Sequence, residues 1–290
     1  SCSFCAIPSF KGKLHSRTLE SLVKEVTNLV KKGYKDFSFV SQDSSSYLRD
    51  LGHNDGLEQL IDAVEKIDGV KTARILYLYP STTTHNLIDK IADSKVFVNY
   101  FDMPLQHISQ NMLKIMKRGK GAEKLIELMN YMRSKPNSFV RTTFIAGHPG
   151  ESEDDFEELC SFVEEFGFDR GNVFSYSDEE GTSAETRDDK IEQELIDERA
   201  EILGDIISQT TIKSLENDIG KSFEVYIDGE SEEHEYLLSA RKTIWAPQID
   251  GEIYINDNED NIPIVFGEIY EVEATQLAGD KLLAKIIRKV

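Results

Sequence analysis

The chain has 290 residues, 39% of them hydrophobic, with 33 Lys and Arg against 53 Asp and Glu and a formal net charge of −20. That length suits one large domain and a small one, and that charge disfavours a protein whose main task is gripping nucleic acid, because phosphate binding needs a basic surface. No apolar run approaches the ~20 residues of a bilayer-crossing helix, and three cysteines (Cys2, Cys5 and Cys160) make no disulfide framework, so no membrane role and a reducing, cytoplasmic setting are expected.

From residue 1 to about 187 strand and helix patterns alternate. TLESLVKEVTNLVKKG has helical period, with Leu19, Leu22, Val23, Val26, Leu29 and Val30 on one face and Gly33 past the last turn. DFSFVS then reads as strand, LEQLIDAVEKI as helix, TARILYLY as strand, HNLIDKIAD as helix and VFVNYFDM as strand. SQNMLKIMKR and GAEKLIELMNYMRS read as helices, FVRTTFIAG as strand, SEDDFEELCSFVEEFG as helix and GNVFSYS as strand. Two-faced apolar strands alternating with amphipathic helices predict right-handed βαβ units and a parallel sheet. Counting SCSFCAI as the first strand-to-loop junction gives about six units, where eight would close a full barrel. The expected fold class is therefore α/β, a partial six-unit barrel.

Residues 188–217 are highly charged and helical, with Ile191, Leu195, Ile202, Ile206 and Leu215 as the expected apolar stripe of a connector. Residues 218–290 change to strand patterns: SFEVYID, YLLSAR, GEIYIN, EIYEVEATQL and KLLAKIIRK predict a small antiparallel barrel of OB type. From residue 214 on there are 7 Lys and Arg against 17 Asp and Glu, so this quarter of the chain carries half of the net charge.

In parallel β/α architectures ligands bind at the C-terminal ends of the strands. That rim is expected to gather Cys2, Phe4 and Cys5 from the first junction, Gln42 and Asp43 from SQDSSSY, and the end of YLYPS, with Arg74 earlier on that strand. Gln106 and His107 follow from FDMPLQHIS, and Gly147 from GHPGES, with Arg141 on the preceding strand. His148 reads as a rim residue without a role, and Cys160 as a core residue on a helix face. Cys2 and Cys5, three apart, are open to three readings: half of a metal site, a redox pair, or part of a longer motif.

CSFCAIPSFKGKLHSR, LYLYPS, DMPLQHIS, RTTFIAGHPGES and FDRGNVFSYSDEEGT, in this order and followed by a strand-rich tail, resemble the radical S-adenosylmethionine methylthiotransferases. RTTFI and EEGT are most similar to the branch that modifies an aspartate of ribosomal protein S-twelve (RimO family). The alternative is the transfer RNA branch (MiaB family) or, for this stretch alone, a binding module. The resemblance implies a C-x3-C-x2-C motif holding a 4Fe–4S cluster, with Cys2 and Cys5 as metal ligands and the first cysteine outside this chain, which then reads as a fragment cut within the motif. Three thiolates leave one iron open for S-adenosylmethionine, whose one-electron cleavage yields a 5′-deoxyadenosyl radical. It also implies an upstream domain with a second 4Fe–4S cluster, a TRAM domain in the tail, and an electron donor. Phe4, Gln42, Asp43, Arg74, Gln106, His107, Arg141 and Gly147 become the expected cofactor contacts. The acidic tail fits a basic ribosomal protein as partner, free or on the ribosome, better than RNA.

Overall fold

The computed structural model describes all residues except 1, 120 and 259. The chain divides into two compact units, Ser1–Ile207 and Ser208–Val290.

In the first unit, after the short helix α1 (Ile7–Lys11), come α2 (Leu19–Lys31), β1 (Asp36–Phe39), α3 (Gly56–Val64), β2 (Thr72–Ile75), α4 (His85–Ala92) and β3 (Phe97–Asp102). They are followed by α5 (Gln110–Ile115), α6 (Ala122–Arg133), β4 (Phe139–Ala146), α7 (Glu153–Phe166) and β5 (Arg170–Ser175), and then α8 (Gln193–Glu216) opens. The sheet runs β1-β2-β3-β4-β5 with every pairing parallel. Hydroxyl caps set the helix starts: Thr18, Thr84 and Ser109 accept from backbone N–H groups three residues on, and Ser152 with Asp155 forms a reciprocal capping box. All four residues of β2 are buried, as a central parallel strand requires. Leu57, Leu60, Ile61 and Val64 of α3, Leu87, Ile88 and Ile91 of α4, and Phe156, Leu159 and Val163 of α7 share one core with Ile75, Phe101, Val140 and Phe144. Each such buried side chain contributes roughly 1.5–3 kcal/mol of transfer free energy.

Two details differ from the sequence reading. The sheet has five strands rather than the expected six units, because Cys2–Cys5 form a turn, with Cys5 N–H directed to Cys2 O at 3.4 Å. The apolar stripe of α8 is rotated: Ile196, Leu203, Ile207 and Leu215 are buried, whereas Leu195 and Ile202 are exposed. Ile196 is drawn in because Gly147 has no side chain there.

The second unit is a closed five-stranded barrel built from β6 (Ser222–Glu230), β7 (Leu238–Lys242), β8 (Ile253–Asp257), β9 (Ile269–Ala278) and β10 (Lys281–Lys289). Its order is β10-β8-β7-β6-β9, parallel only between β10 and β8, which matches an OB-type barrel. Strict alternation builds it: Tyr270, Val272 and Ala274 of β9 and Leu282, Ala284 and Ile286 of β10 are buried, with Glu271, Glu273 and Lys285 between them. Among the described residues no helix is long and apolar enough to cross a membrane.

Candidate functional site

The strands β1, β2 and β3 end at one rim, and the residues just beyond them enclose a cavity of about 860 Å³ with the cysteine turn. Cys2, Phe4, Cys5, Gln42, Asp43, Tyr77, Tyr79, Gln106 and Arg118 all line it. A ligand of a few tens of heavy atoms fits a space of this size.

The cysteine turn is pinned from three directions. Ser3 N–H donates to Met116 O at 3.1 Å, Ser3 O accepts from Ala184 N–H at 3.0 Å, and the Ser3 hydroxyl lies 3.1 Å from His148 Nε2. His148 Nδ1 donates to Pro149 O at 2.9 Å, so Nε2 accepts from Ser3. His148 is fully buried, edge-on to Phe4 and Tyr176, and burial pushes its imidazole below the ordinary value. It is thus a support under the turn, not the idle rim residue expected.

The Cys2 thiol itself meets a guanidinium and a hydroxyl. Arg118 Nη1 is 3.2 Å from Cys2 Sγ and the Tyr79 hydroxyl is 3.7 Å away. Burial, and then the neighbouring Cys2, push the Tyr79 phenol up. Arg118 carries no signal of its own in the sequence, where SQNMLKIMKR reads as helix to its end. In the structure α5 stops at Ile115, Lys117 takes a left-handed φ of 57°, and Arg118 N–H reaches back to Leu113 O at 2.8 Å. This helix-ending motif turns Arg118 inward.

Besides the two cysteines, four of the eight expected cofactor contacts line the cavity. Phe4 and Gln42 line its wall, and Gln42 is exposed. Asp43 caps the turn that follows, accepting from Ser46 N–H at 3.1 Å and from the Ser45 hydroxyl at 2.7 Å. Gln106 sits at a left-handed φ of 73°, held by its own backbone between Thr143 O at 2.8 Å and Ile145 N–H at 2.9 Å. A non-glycine residue there costs ~1 kcal/mol or more. Tyr77, also left-handed at 60°, is held by its N–H bond to Asp102 Oδ2 at 3.0 Å.

The structure does not bring Arg74, His107, Arg141 and Gly147 to the cavity. Arg74 is fully buried and makes a two-pronged pair with Asp36 at 2.7 and 3.1 Å. Arg141 pairs with Asp102 at 3.2 Å. His107 Nδ1 accepts from Ile108 and Ser109 N–H, which leaves the ring proton on Nε2, 3.5 Å from Glu151. Gly147 N–H donates to that same Glu151, whose carboxylate is clamped by Arg199 at 2.8 Å. These residues hold the strands and the GHPGES turn in place beneath the rim.

A family model described as the Radical SAM superfamily matches residues 1–163, and one described as the TRAM domain matches residues 219–287. The chain is 79% identical over 289 residues to a protein of Aliarcobacter butzleri named ribosomal protein uS12 methylthiotransferase RimO, and 62% identical over 288 residues to its namesake in Sulfurovum sp.. Each alignment covers 99% of this chain and 65% of the relative, so the chain spans just under two thirds of their length. Among solved structures, Escherichia coli coproporphyrinogen III oxidase (HemN), described as a radical SAM enzyme, aligns with a TM-score of 0.50 at 16% identity, over 69% of this chain and 45% of that one. Methylornithine synthase (PylB) aligns with a TM-score of 0.50 at 14% identity, over 73% and 59%. These two likenesses concern the fold. With a matching family model over more than half of its length and a cysteine turn at the strand ends of a parallel sheet, the chain belongs to the radical SAM superfamily, which implies a 4Fe–4S cluster and S-adenosylmethionine, and it carries a TRAM domain after that core.

Proposed function

We propose that this chain is the S-adenosylmethionine-binding and substrate-docking part of a methylthiotransferase that adds a methylthio group to the β-carbon of an aspartate in ribosomal protein uS12. Residues 1–187 serve as the radical core, 188–217 as the connector and 218–290 as the docking barrel. The observation that carries the reading is the shared cavity: Cys2 and Cys5 open onto the same space as Phe4, Gln42, Asp43 and Gln106.

The residues present fit the implied group in kind. Two thiols lie in one turn at the cavity wall, and Arg118 Nε is buried there without a hydrogen-bond partner among the described residues. Among those residues no set of three His, Cys, Asp or Glu side chains is placed to hold a metal ion. In this reading Cys2 and Cys5 supply two of the cluster's thiolates. When bound, the cluster and S-adenosylmethionine supply the one-electron chemistry that opens an unactivated C–H bond, which side-chain acids and bases do not reach. Phe4 offers an aromatic face for the adenine. The Gln106 side-chain amide makes no hydrogen bond to the protein among the described residues, which leaves it for the polar end of the cofactor. Asp43 holds the turn of the SQDSSSY loop through Ser45 and Ser46.

The barrel's acidity supports a basic protein partner. Asp228, Glu230, Glu232, Glu233 and Glu252 line a cavity of about 720 Å³ on its surface, with Arg241 and Lys281. Such a surface attracts a strongly basic ribosomal protein and repels RNA. In the intact protein a second 4Fe–4S cluster upstream handles the sulfur, and an external donor supplies electrons.

The test reconstitutes the full-length protein anaerobically, adds S-adenosylmethionine and reductant, and offers uS12 and transfer RNA in competition. Mass spectrometry is expected to find one added methylthio group on uS12. Mass added only to the RNA, or to neither, overturns the reading.

A further inference from the structure

Within the proposed site the two cysteine sulfurs have different surroundings. Cys2 and Cys5 belong to one turn, yet among the described residues only the Cys2 sulfur is approached by an N–H donor and a hydroxyl. Arg118 is 6% exposed, and each nitrogen at the end of its fork has a task. Nη1 points at Cys2 Sγ from 3.2 Å, while Nη2 donates to the Pro104 carbonyl. The guanidinium also lies over the Tyr79 ring, 4.5 Å from its centroid, and the Tyr79 hydroxyl is 3.7 Å from the same sulfur. Anchoring by Pro104, stacking on Tyr79 and the turn after α5 leave the guanidinium little freedom to move away. A fixed positive charge and N–H donor are thus built against one thiol of the pair.

We propose that Arg118, assisted by the Tyr79 hydroxyl, is a positioning residue for Cys2 that raises the reduction potential of the cluster held there. The inference rests on the reading of Cys2 as a cluster ligand. The physical reason is electrostatic. Reduction adds one negative charge to a cluster whose sulfurs already carry negative charge. A cation and a hydrogen-bond donor on a ligand sulfur stabilise the reduced form more than the oxidised one, and hydrogen bonds to the sulfurs are among the determinants of cluster potential. Burial of Arg118 weakens solvent screening of this effect. A guanidinium serves as a fixed charge and not as a proton donor.

The test uses the full-length protein reconstituted anaerobically, as wild type, Arg118→Gln, Arg118→Lys and Tyr79→Phe. Iron content and thermal unfolding are measured first. The reduction midpoint is then followed by electron paramagnetic resonance while dithionite supplies one electron per cluster, with no proton or bond exchanged. Where an upstream cluster contributes a second signal, addition of S-adenosylmethionine marks the one that belongs to Cys2. The wild type is expected to load iron, and all three variants are expected to load it to within about a fifth of the wild-type level. The midpoint is expected to fall most in Arg118→Gln, less in Arg118→Lys, which restores the charge without the fork, and least in Tyr79→Phe. A midpoint that stays at the wild-type value in the iron-loaded variants overturns the inference and leaves the site reading standing. A wild type without a cluster at Cys2 overturns both. Should Arg118→Gln fail to fold, the order of Arg118→Lys and Tyr79→Phe against the wild type decides the matter by the same criterion.

Discussion

A guanidinium on a strand that leads to a ligand rim reads as an anchor for the ligand until its partner is known. Arg74 and Arg141 were both expected at the cofactor, and both are spent on neighbouring strands, Arg74 on Asp36 of β1 and Arg141 on Asp102 of β3. Arg118, which carries no signal of its own in the sequence, is the guanidinium that faces the cavity. The difference is invisible at the level of residue type, because all three are single charges near predicted strand or helix ends. Cys160, expected in the core, packs against it from α7, and burial followed by the charge of Glu151 pushes its thiol up to about 11. Asp155 makes the opposite case. Burial alone would raise its carboxyl, but hydrogen bonds from Ser109, Ser152 and Asn111 outweigh burial and hold it at about 2. A depressed folded value stabilises the fold above the unfolded value near 4, and that contribution is lost as pH falls toward about 2. Asp155→Asn is therefore expected to cost about 1–2 kcal/mol at pH 7 and to flatten the dependence of stability on pH between about 4 and 2. Urea unfolding across that range measures both, and an unchanged acid slope in the variant would contradict the account.

At the scale of elements, the legible features were those with local causes. The start of α7 was readable from SEDD, and its capping box is present. The barrel strands were readable from their alternation, and β9 and β10 keep it. The end of α5 was misplaced because a left-handed Lys117, and not a glycine, closes it, and the stripe of α8 because its cause is elsewhere in the chain. Gly147 explains the second. Its φ is +80°, and a Cβ built on it would lie 2.5 Å from Ile196 Cγ1. Gly147→Ala is expected to lower stability by about 1–3 kcal/mol, since it combines left-handed strain with displacement of a packed helix. Thermal unfolding reads this directly. A midpoint within one degree of wild type would mean that α8 does not bear on the turn as described. The conformational demand here is on one residue, but the consequence is the register of a helix.

At the scale of the whole molecule, charge is the property that carries most functional meaning. The radical SAM core and the TRAM barrel are both built on ordinary alternating patterns, yet the barrel holds a disproportionate share of the acid. Glu232 and Glu235 are exposed on it, whereas Glu233 is engaged with Lys281 and Tyr254. Glu232→Lys with Glu235→Lys is therefore the cleaner reversal, because it leaves that local network intact. Under the proposed function the double variant is expected to weaken capture of uS12 by roughly tenfold at low salt, with the gap closing as salt screens it. Titration by fluorescence anisotropy at two ionic strengths checks this. Equal affinity at low salt would remove this patch from the docking surface.

By itself the sequence determined the alternation of strands and helices, the change to a small barrel near residue 218, the cysteine spacing and the acidity of the tail. These are properties of period, composition and short-range chemistry, which act between neighbours in the chain. Only the tertiary structure decided which residues face the cavity. It withdrew Arg74, His107, Arg141 and Gly147 into pairs and turns beneath the rim, and it brought Arg118, Tyr79 and His148 to the cysteine turn. The physical reason is that a buried charge must find its partner, and for Arg74, Arg141 and Arg118 that partner (Asp36, Asp102 and Cys2) lies tens of residues or more away along the chain.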